Sequence, residues 1–226
     1  MTSLTLIVPA LDEAAGIVAC LAPMQEMRGR GVEVLVVDGG SRDATRELAA
    51  PLADRVIDCA RGRARQMNAG AEAARGNFLA FVHADTILPA NADIAIVRAL
   101  AGDARWGRFD VAIAGASPLL HVVATMMNVR SRLTGIATGD QAIFARGDEF
   151  RQAGGFPEIA LMEDVALCKR LKRRSRPACL RDRVMTSGRR WERHGTLKTI
   201  FLMWRLRLAY ALGADPGRLA RRYDGR

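Results

Sequence analysis

The chain has 226 residues, half of them apolar, with a formal net charge of +10. That is enough apolar material and length for one sizeable core, and it excludes a globally disordered chain. No run of 18 or more apolar residues occurs, so no membrane-spanning helix is expected. The opening MTSLTLIVPALDEA lacks a basic n-region and reads as a first strand, not a signal peptide. The charge is uneven: residues 1–168 carry 16 basic and 20 acidic side chains, residues 169–226 carry 18 and 4. An acidic-to-neutral body with a strongly basic end favours an anionic partner. Four cysteines without CxxC spacing suit a reduced, cytoplasmic chain with no zinc site.

In chain order, the apolar run LTLIVPA (4–10) predicts a strand, and the spacing of Ile17, Leu21, Met24 and Met27 predicts one helix over 12–28. VEVLVVD (32–38) is a second strand, ending in the turn signal GGSRD, with a helix over 43–53. RVIDCA (55–60) is a third. Residues 63–75 are helical, and NFLAFVH (77–83) is a fourth strand. Continuous apolar strands separated by helices predict a mostly parallel α/β sheet covered on both faces. Beyond it we expect a strand over 109–116, a helix over 118–133, a strand over 139–146 and a helix over 162–173. The stretch 197–212 is apolar with interspersed Lys198, Arg205 and Arg207, which suits a packed helix or one lying in a membrane interface. His121, Met126, Met127 and the tryptophans Trp191 and Trp204 are expected to pack.

Ligands of open parallel sheets bind beyond the carboxyl ends of the strands. Three such ends carry acids here: Asp12 and Glu13, then Asp38, then Asp85 after His83. Asp is a poor strand former, so propensity does not explain them. GxGxxG, GxxxxGK[ST] and GxSxG are all absent, which removes the dinucleotide fingerprint, the P-loop and the hydrolase elbow. Phosphate would instead be gripped through a divalent cation, Mg2+ or Mn2+, held by Asp85.

The ordered set IVPALDEA (7–14), VVDGGSRDAT (36–45), GRARQMNAGAEAARGNFLAFVHADT (62–86), GDQAIFAR with GGFPE, MEDVALCKRL (162–171) and SGRRWERHG (187–195) resembles family 2 glycosyltransferases of the GT-A fold. The His-Ala-Asp-Thr variant resembles a bacterial radical-SAM/selenoprotein-associated subgroup. The resemblance implies a GT-A domain over 1–195 followed by a basic helical tail over 196–226. It implies a nucleotide-sugar donor contacted by Pro9, Leu11, Glu13, Asp38, Arg63, Asn68 and His83, and a metal on Asp85 with His194 as a second ligand. Asp164 would be the general base of an inverting transfer, with Glu163 beside it, and Arg189, Arg190 and His194 are candidates for the cation that absorbs charge on the departing diphosphate. Gly39 and His83 stand where the family has acids. A helix N-terminus under Asp164 is expected to favour its ionised form. The acceptor is unread; a lipid-linked one would fit a peripheral position on the inner face of the cell membrane, reached through the basic tail. The rival readings are a nucleotidyltransferase on a related scaffold and a non-catalytic basic module for nucleic acid. PALDEA offers acids where the first wants a basic, Gly-rich loop, and aromatic residues interleaved for base stacking are too few for the second.

Overall fold

The computed structural model describes residues 3–223, except the side chains of Arg190 and His194. LTLIVPA forms β1 (Leu4–Ala10), and all seven of its residues are buried. Its side chains alternate between two cores, Leu6 and Val8 in one and Ile7 in the other, as a period of two requires. The elements that follow are α1 (Ile17–Leu21), α2 (Met24–Gly29), β2 (Glu33–Asp38), α3 (Thr45–Ala49) and β3 (Arg55–Asp58). Next come α4 (Arg63–Ala73), β4 (Phe78–Phe81), β5 (Thr86–Ile87), α5 (Ala92–Ala101), β6 (Trp106–Ile113) and α6 (Leu119–Thr134). A 3-10 turn at Gly139–Gln141 leads to β7 (Phe144–Arg146), α7 (Gly147–Gln152), α8 (Glu163–Arg174) and β8 (Ala178–Thr186). Three helices close the described chain: α9 (Arg189–His194), α10 (Thr196–Ala211) and α11 (Pro216–Tyr223).

The eight strands form one sheet in the order β3-β2-β1-β4-β7-β6-β8-β5. β1 runs parallel to β2 and β4, and β2 to β3. β7 lies antiparallel to both β4 and β6 and turns the sheet into its second half, where β6 and β8 are parallel again. The result is the expected mostly parallel sheet covered by helices, with the antiparallel insertion that the continuous apolar runs did not announce.

Three local departures have plain causes. Residues 12–28 are two helices because Pro23, at the N-cap of α2, interrupts the first. The expected strand over 139–146 begins as a 3-10 turn because the Gln141 side chain accepts from Thr138 N while Gln141 N donates to Thr138 O, closing the chain on itself. The helix over 118–133 forms as α6, but its His121 and Met126 are exposed where packing was expected, and so is Trp204 on α10.

Two devices position the site. Gly70 on α4 faces β1, where any Cβ would collide with Ile7, so only glycine lets this helix lie so close to the sheet. On α6, Asn128 accepts from Val111 N at 2.9 Å and donates to Val111 O at 3.0 Å, which fixes α6 against β6.

Candidate active site

A cleft of about 850 Å3 opens at the carboxyl ends of β1 and β4. Its walls come from the loop after β1, the start of α4, the His83–Asp85 turn, the 3-10 turn, the start of α8 and the end of β8. Trp191, Met203 and Leu206 cover it from the C-terminal side.

The loop after β1 is stapled to the loop after β2. Asp12, at φ +54°, donates its N–H to Ser41 Oγ at 2.9 Å and accepts from Arg42 N at 2.8 Å. Glu13 N donates to Thr45 Oγ1 at 2.8 Å, and Ala14 N to Asp43 Oδ2 at 3.0 Å. Those bonds use up the neighbouring polar groups and leave the Glu13 carboxylate in the cleft lining. Burial, then the charge of Asp85, push its pKa up; Arg189, whose guanidinium stands 3.6 Å away, opposes them. Asp85 lines the same cleft, and among the described residues its carboxylate has no hydrogen-bond or ion-pair partner.

Another part of the lining holds Asp164 at the start of α8. Its Oδ2 accepts from Gly139 N at 2.9 Å and its Oδ1 from Val165 N at 2.6 Å. Burial and the charge of Glu163 nevertheless push its pKa up to about 6, overcoming those bonds and Arg63. The backbone N–H at the helix start favours the ionised form, as expected, but desolvation outweighs it. Glu163 is buried and lies 3.4 Å from Arg63, so it serves as that cation's partner. Burial works against the charge on Arg63, but Glu163, Asp164 and Asp140 outweigh it and raise its pKa.

His83 Nδ1 lies 3.4 Å from Asp140 Oδ1. Burial opposes the ionisation of Asp140, yet the His83 bond and the charges of His83, Arg63 and Arg130 hold its pKa below the usual range. His83 packs so tightly on Gly139 that a Cβ there would strike the ring. The Gly139–Asp140 turn thus touches His83 on one side and Asp164 on the other.

Of the residues singled out in the sequence, Pro9, Leu11, Glu13, Arg63, His83, Asp85, Glu163 and Asp164 all line the cleft. Two do not. Asp38 is fully buried, and its carboxylate accepts from Gly40 N and Ser41 N at 3.0 Å each and from the Ser41 hydroxyl. It holds the turn that its own Gly-Gly-Ser sequence demands. Asn68 accepts from Phe156 N at 2.9 Å and donates to Phe156 O at 2.8 Å, clamping the turn before α8. The side chains of Arg190 and His194 lie outside the described residues. Two lining residues escaped the sequence reading: Asp140, hidden in an apparent strand, and Gln66, which donates to Ala10 O and Val37 O at 2.8 Å each.

Residues 5–115 match the model of Glycosyl transferase family 2. Over 106 residues the chain is 36% identical to a PGL/p-HBAD biosynthesis glycosyltransferase of Mycobacterium bovis, which covers 44% of this chain and 41% of the relative. The same match is found to a protein of that name in Mycobacterium tuberculosis. The chain therefore spans about two fifths of the length of these curated relatives. Among solved structures it resembles mannosyltransferase PcManGT from Pyrobaculum calidifontis, in complex with GDP-Man and Mn2+. The TM-score is 0.66 at 21% identity, covering 91% of this chain and 60% of that one. It also resembles Staphylococcus aureus TarS 1-349 in complex with UDP-GlcNAc, with a TM-score of 0.67 at 18% identity, covering 83% and 58%. The architecture is the GT-A fold, and the family match covers the loops after β1 and β2, α4 and the His83–Asp85 turn.

Proposed function

We propose that this chain is a glycosyltransferase that moves a sugar from a nucleotide donor to an acceptor hydroxyl, with Asp164 as the base. The observation that carries this reading is one cleft, of a size suited to a small ligand, lined by both Asp85 and Asp164. The family match and the nucleotide-sugar complexes of the structural neighbours support it.

A divalent cation fits the donor wall. Asp85 and Glu13 are close enough for each charge to oppose the other, and Asp85 has no described partner. No three His, Cys, Asp or Glu side chains gather as a cage among the described residues. That donor set suits a hard ion such as Mg2+ or Mn2+, which takes its remaining oxygens from water and phosphate. Asp85 would hold it, with Glu13 beside it. The ion would neutralise charge developing on the departing nucleoside diphosphate.

The chain's own groups supply the rest. Asp164 takes the acceptor proton on a carboxylate oxygen, and a pKa near 6 keeps it ionised yet basic at neutral pH. Arg63, paired with Glu163, stands behind it and limits how far that pKa climbs. Asp140 orients His83 through Nδ1, and Gln66 fixes the strand ends beneath the donor. An acceptor activated on the Asp164 wall attacks from the side away from the diphosphate, so the reaction inverts the anomeric centre. The basic segment 196–226 brings the enzyme to an anionic membrane surface, where a lipid-linked acceptor is within reach.

The test is a thermal-shift screen of nucleoside diphosphates and their sugar conjugates, with and without Mn2+, followed by turnover assays. A ligand at 100 times its Kd adds about 2.7 kcal/mol of stability, a shift of several degrees for a chain this long. Asp85→Ala should lose the Mn2+-dependent part of that shift. Asp164→Ala should bind donor and lose turnover. An equal Mn2+ response in wild type and Asp85→Ala would overturn the donor-side assignment.

A further inference from the structure

Ten of the fifteen large apolar side chains left exposed among the described residues belong to two helices and their ends. On α6 they are Leu119, Val122, Met126, Val129 and Leu133. On α10 they are Leu197, Phe201, Trp204 and Leu208, with Leu212 at the C-cap. Both sets recur at steps of three and four residues, so each makes one stripe along its helix. The two helices pack together, with Ile200 of α10, and Trp191 of the preceding α9, against Leu120, Val123 and Met127. Leu119 lies one turn before Val123, and Trp204 one turn beyond Ile200. Each stripe therefore has a member one turn from the seam between the helices. Scattered apolar residues on a surface need no explanation, but ten of them in two regular stripes on a pair of packed helices point to an interaction site.

Charge identifies the occupant. Residues 196–223 hold Lys198, Arg205, Arg207, Arg218, Arg221 and Arg222 against a single acid, Asp215. None of these six cations pairs with an acid among the described residues. α11 is held on α10 by Leu219, which leaves Arg218, Arg221 and Arg222 exposed, with Arg222 beside Leu208 and Leu212 of the apolar stripe. Arg205 and Arg222 line a groove of about 550 Å3 whose other walls are leucines and alanine from α10 and α11. A second copy of the chain docked by twofold symmetry would set cations against cations. An anionic lipid surface accepts both features: apolar side chains to headgroup depth and arginines among the phosphates.

We propose that the joined α6–α10 face, ringed by the cations of α10 and α11, docks on an anionic bilayer. This deepens the membrane part of the reading above and rests on it for its purpose. It also moves the anchor from the C-terminal segment alone to a face that includes α6. Because Met127 of α6 and Met203 of α10 line the cleft, docking there sets the cleft beside the bilayer surface.

The test is flotation of the full chain with phosphatidylcholine vesicles, with and without about 30% phosphatidylglycerol. Wild type should float with the anionic vesicles alone and be released by salt. Met126→Glu on α6 and Phe201→Glu on α10 should each weaken binding on the order of tenfold or more. Arg205→Glu and Arg222→Glu should each cost at least about fivefold, since each removes a cation near the surface. Unchanged circular dichroism, melting temperature and donor thermal shift in every variant would separate lipid docking from folding and from the donor site. Equal binding to neutral and anionic vesicles would overturn the proposal. Wild-type binding by Met126→Glu would overturn the two-helix face even if the α10 variants fail. A concentration-dependent dimer in the absence of lipid, abolished by the same substitutions, would assign the face to a second copy and overturn it as well.

Discussion

At the scale of single residues, Asp164 is controlled by its neighbours more than by its place on a helix. Burial and the Glu163 charge raise its pKa to about 6, against two backbone N–H donors and Arg63. A base must be ionised, so turnover should be lost as pH falls through about 6 and reach a plateau above it. Glu163→Gln removes the negative charge that raises Asp164 and releases Arg63 from its partner. Both changes favour the ionised carboxylate, so the acid limb of kcat/KM should move to lower pH. A limb that stays in place in this variant would show that Glu163 does not act on Asp164. Gly139→Ala makes a different case, because its Cβ would meet the His83 ring. The turn carrying Gly139 N and Asp140 must then shift, which disturbs both the Asp164 and the His83 contacts. The expected result is a fall in kcat of at least about tenfold with the fold intact by circular dichroism.

At the scale of elements, α4 joins the sheet to the site. Gln66 satisfies two strand-end carbonyls, Gly70 lets the helix close on β1, and Asn68 clamps the turn that leads to α8. Gln66→Met keeps the volume but removes the side-chain donor to Val37 O and one of the two donors to Ala10 O, which keeps Gly39 N. That should cost on the order of 1–3 kcal/mol, read as a lower urea midpoint with an unchanged m-value. Donor affinity should fall with it, because Pro9 and Leu11 lie beside the loosened carbonyl. The same helix shows what the sequence reveals and what it hides. Apolar runs bounded by turn residues made β1 to β4 legible, and Gly76 marks the stop after α4. β8 stayed hidden because Arg181, Asp182 and Arg183 interrupt its run and are exposed. β5 has two residues, too few for a period. In the site, Glu13, Arg63, His83, Asp85 and Asp164 were legible because their motifs sit at strand ends and a helix start. Asp140 was not, since its place depends on a long-range meeting with His83. Asp38 and Asn68 carried the right motif but spend their hydrogen bonds inside the fold.

At the scale of the whole molecule, the C-terminal helices pack over the start of α8, next to the proposed base Asp164, as well as forming a basic appendage. Leu206 of α10 and Leu219 of α11 are buried against Met162 and Val165, the residues that flank Glu163 and Asp164. Their removal would bare Met162 and Val165 to water, at about 1.5–3 kcal/mol for each side chain fully exposed. It would also admit water to Asp164, whose raised pKa depends first on burial. A chain ending at Gly195 should therefore melt at least about 6 °C below the full chain. Where it remains folded, its acid limb should lie at lower pH, since hydration favours the charged carboxylate. The two readouts check each other. A lower melting temperature with an unmoved limb would mean that the helices stabilise α8 without shielding Asp164. An unchanged melting temperature would remove the packing argument altogether. Loss of both burial and cations in this truncated chain also explains why lipid docking is better tested by surface substitutions such as Met126→Glu, which leave the C-terminal helices in place.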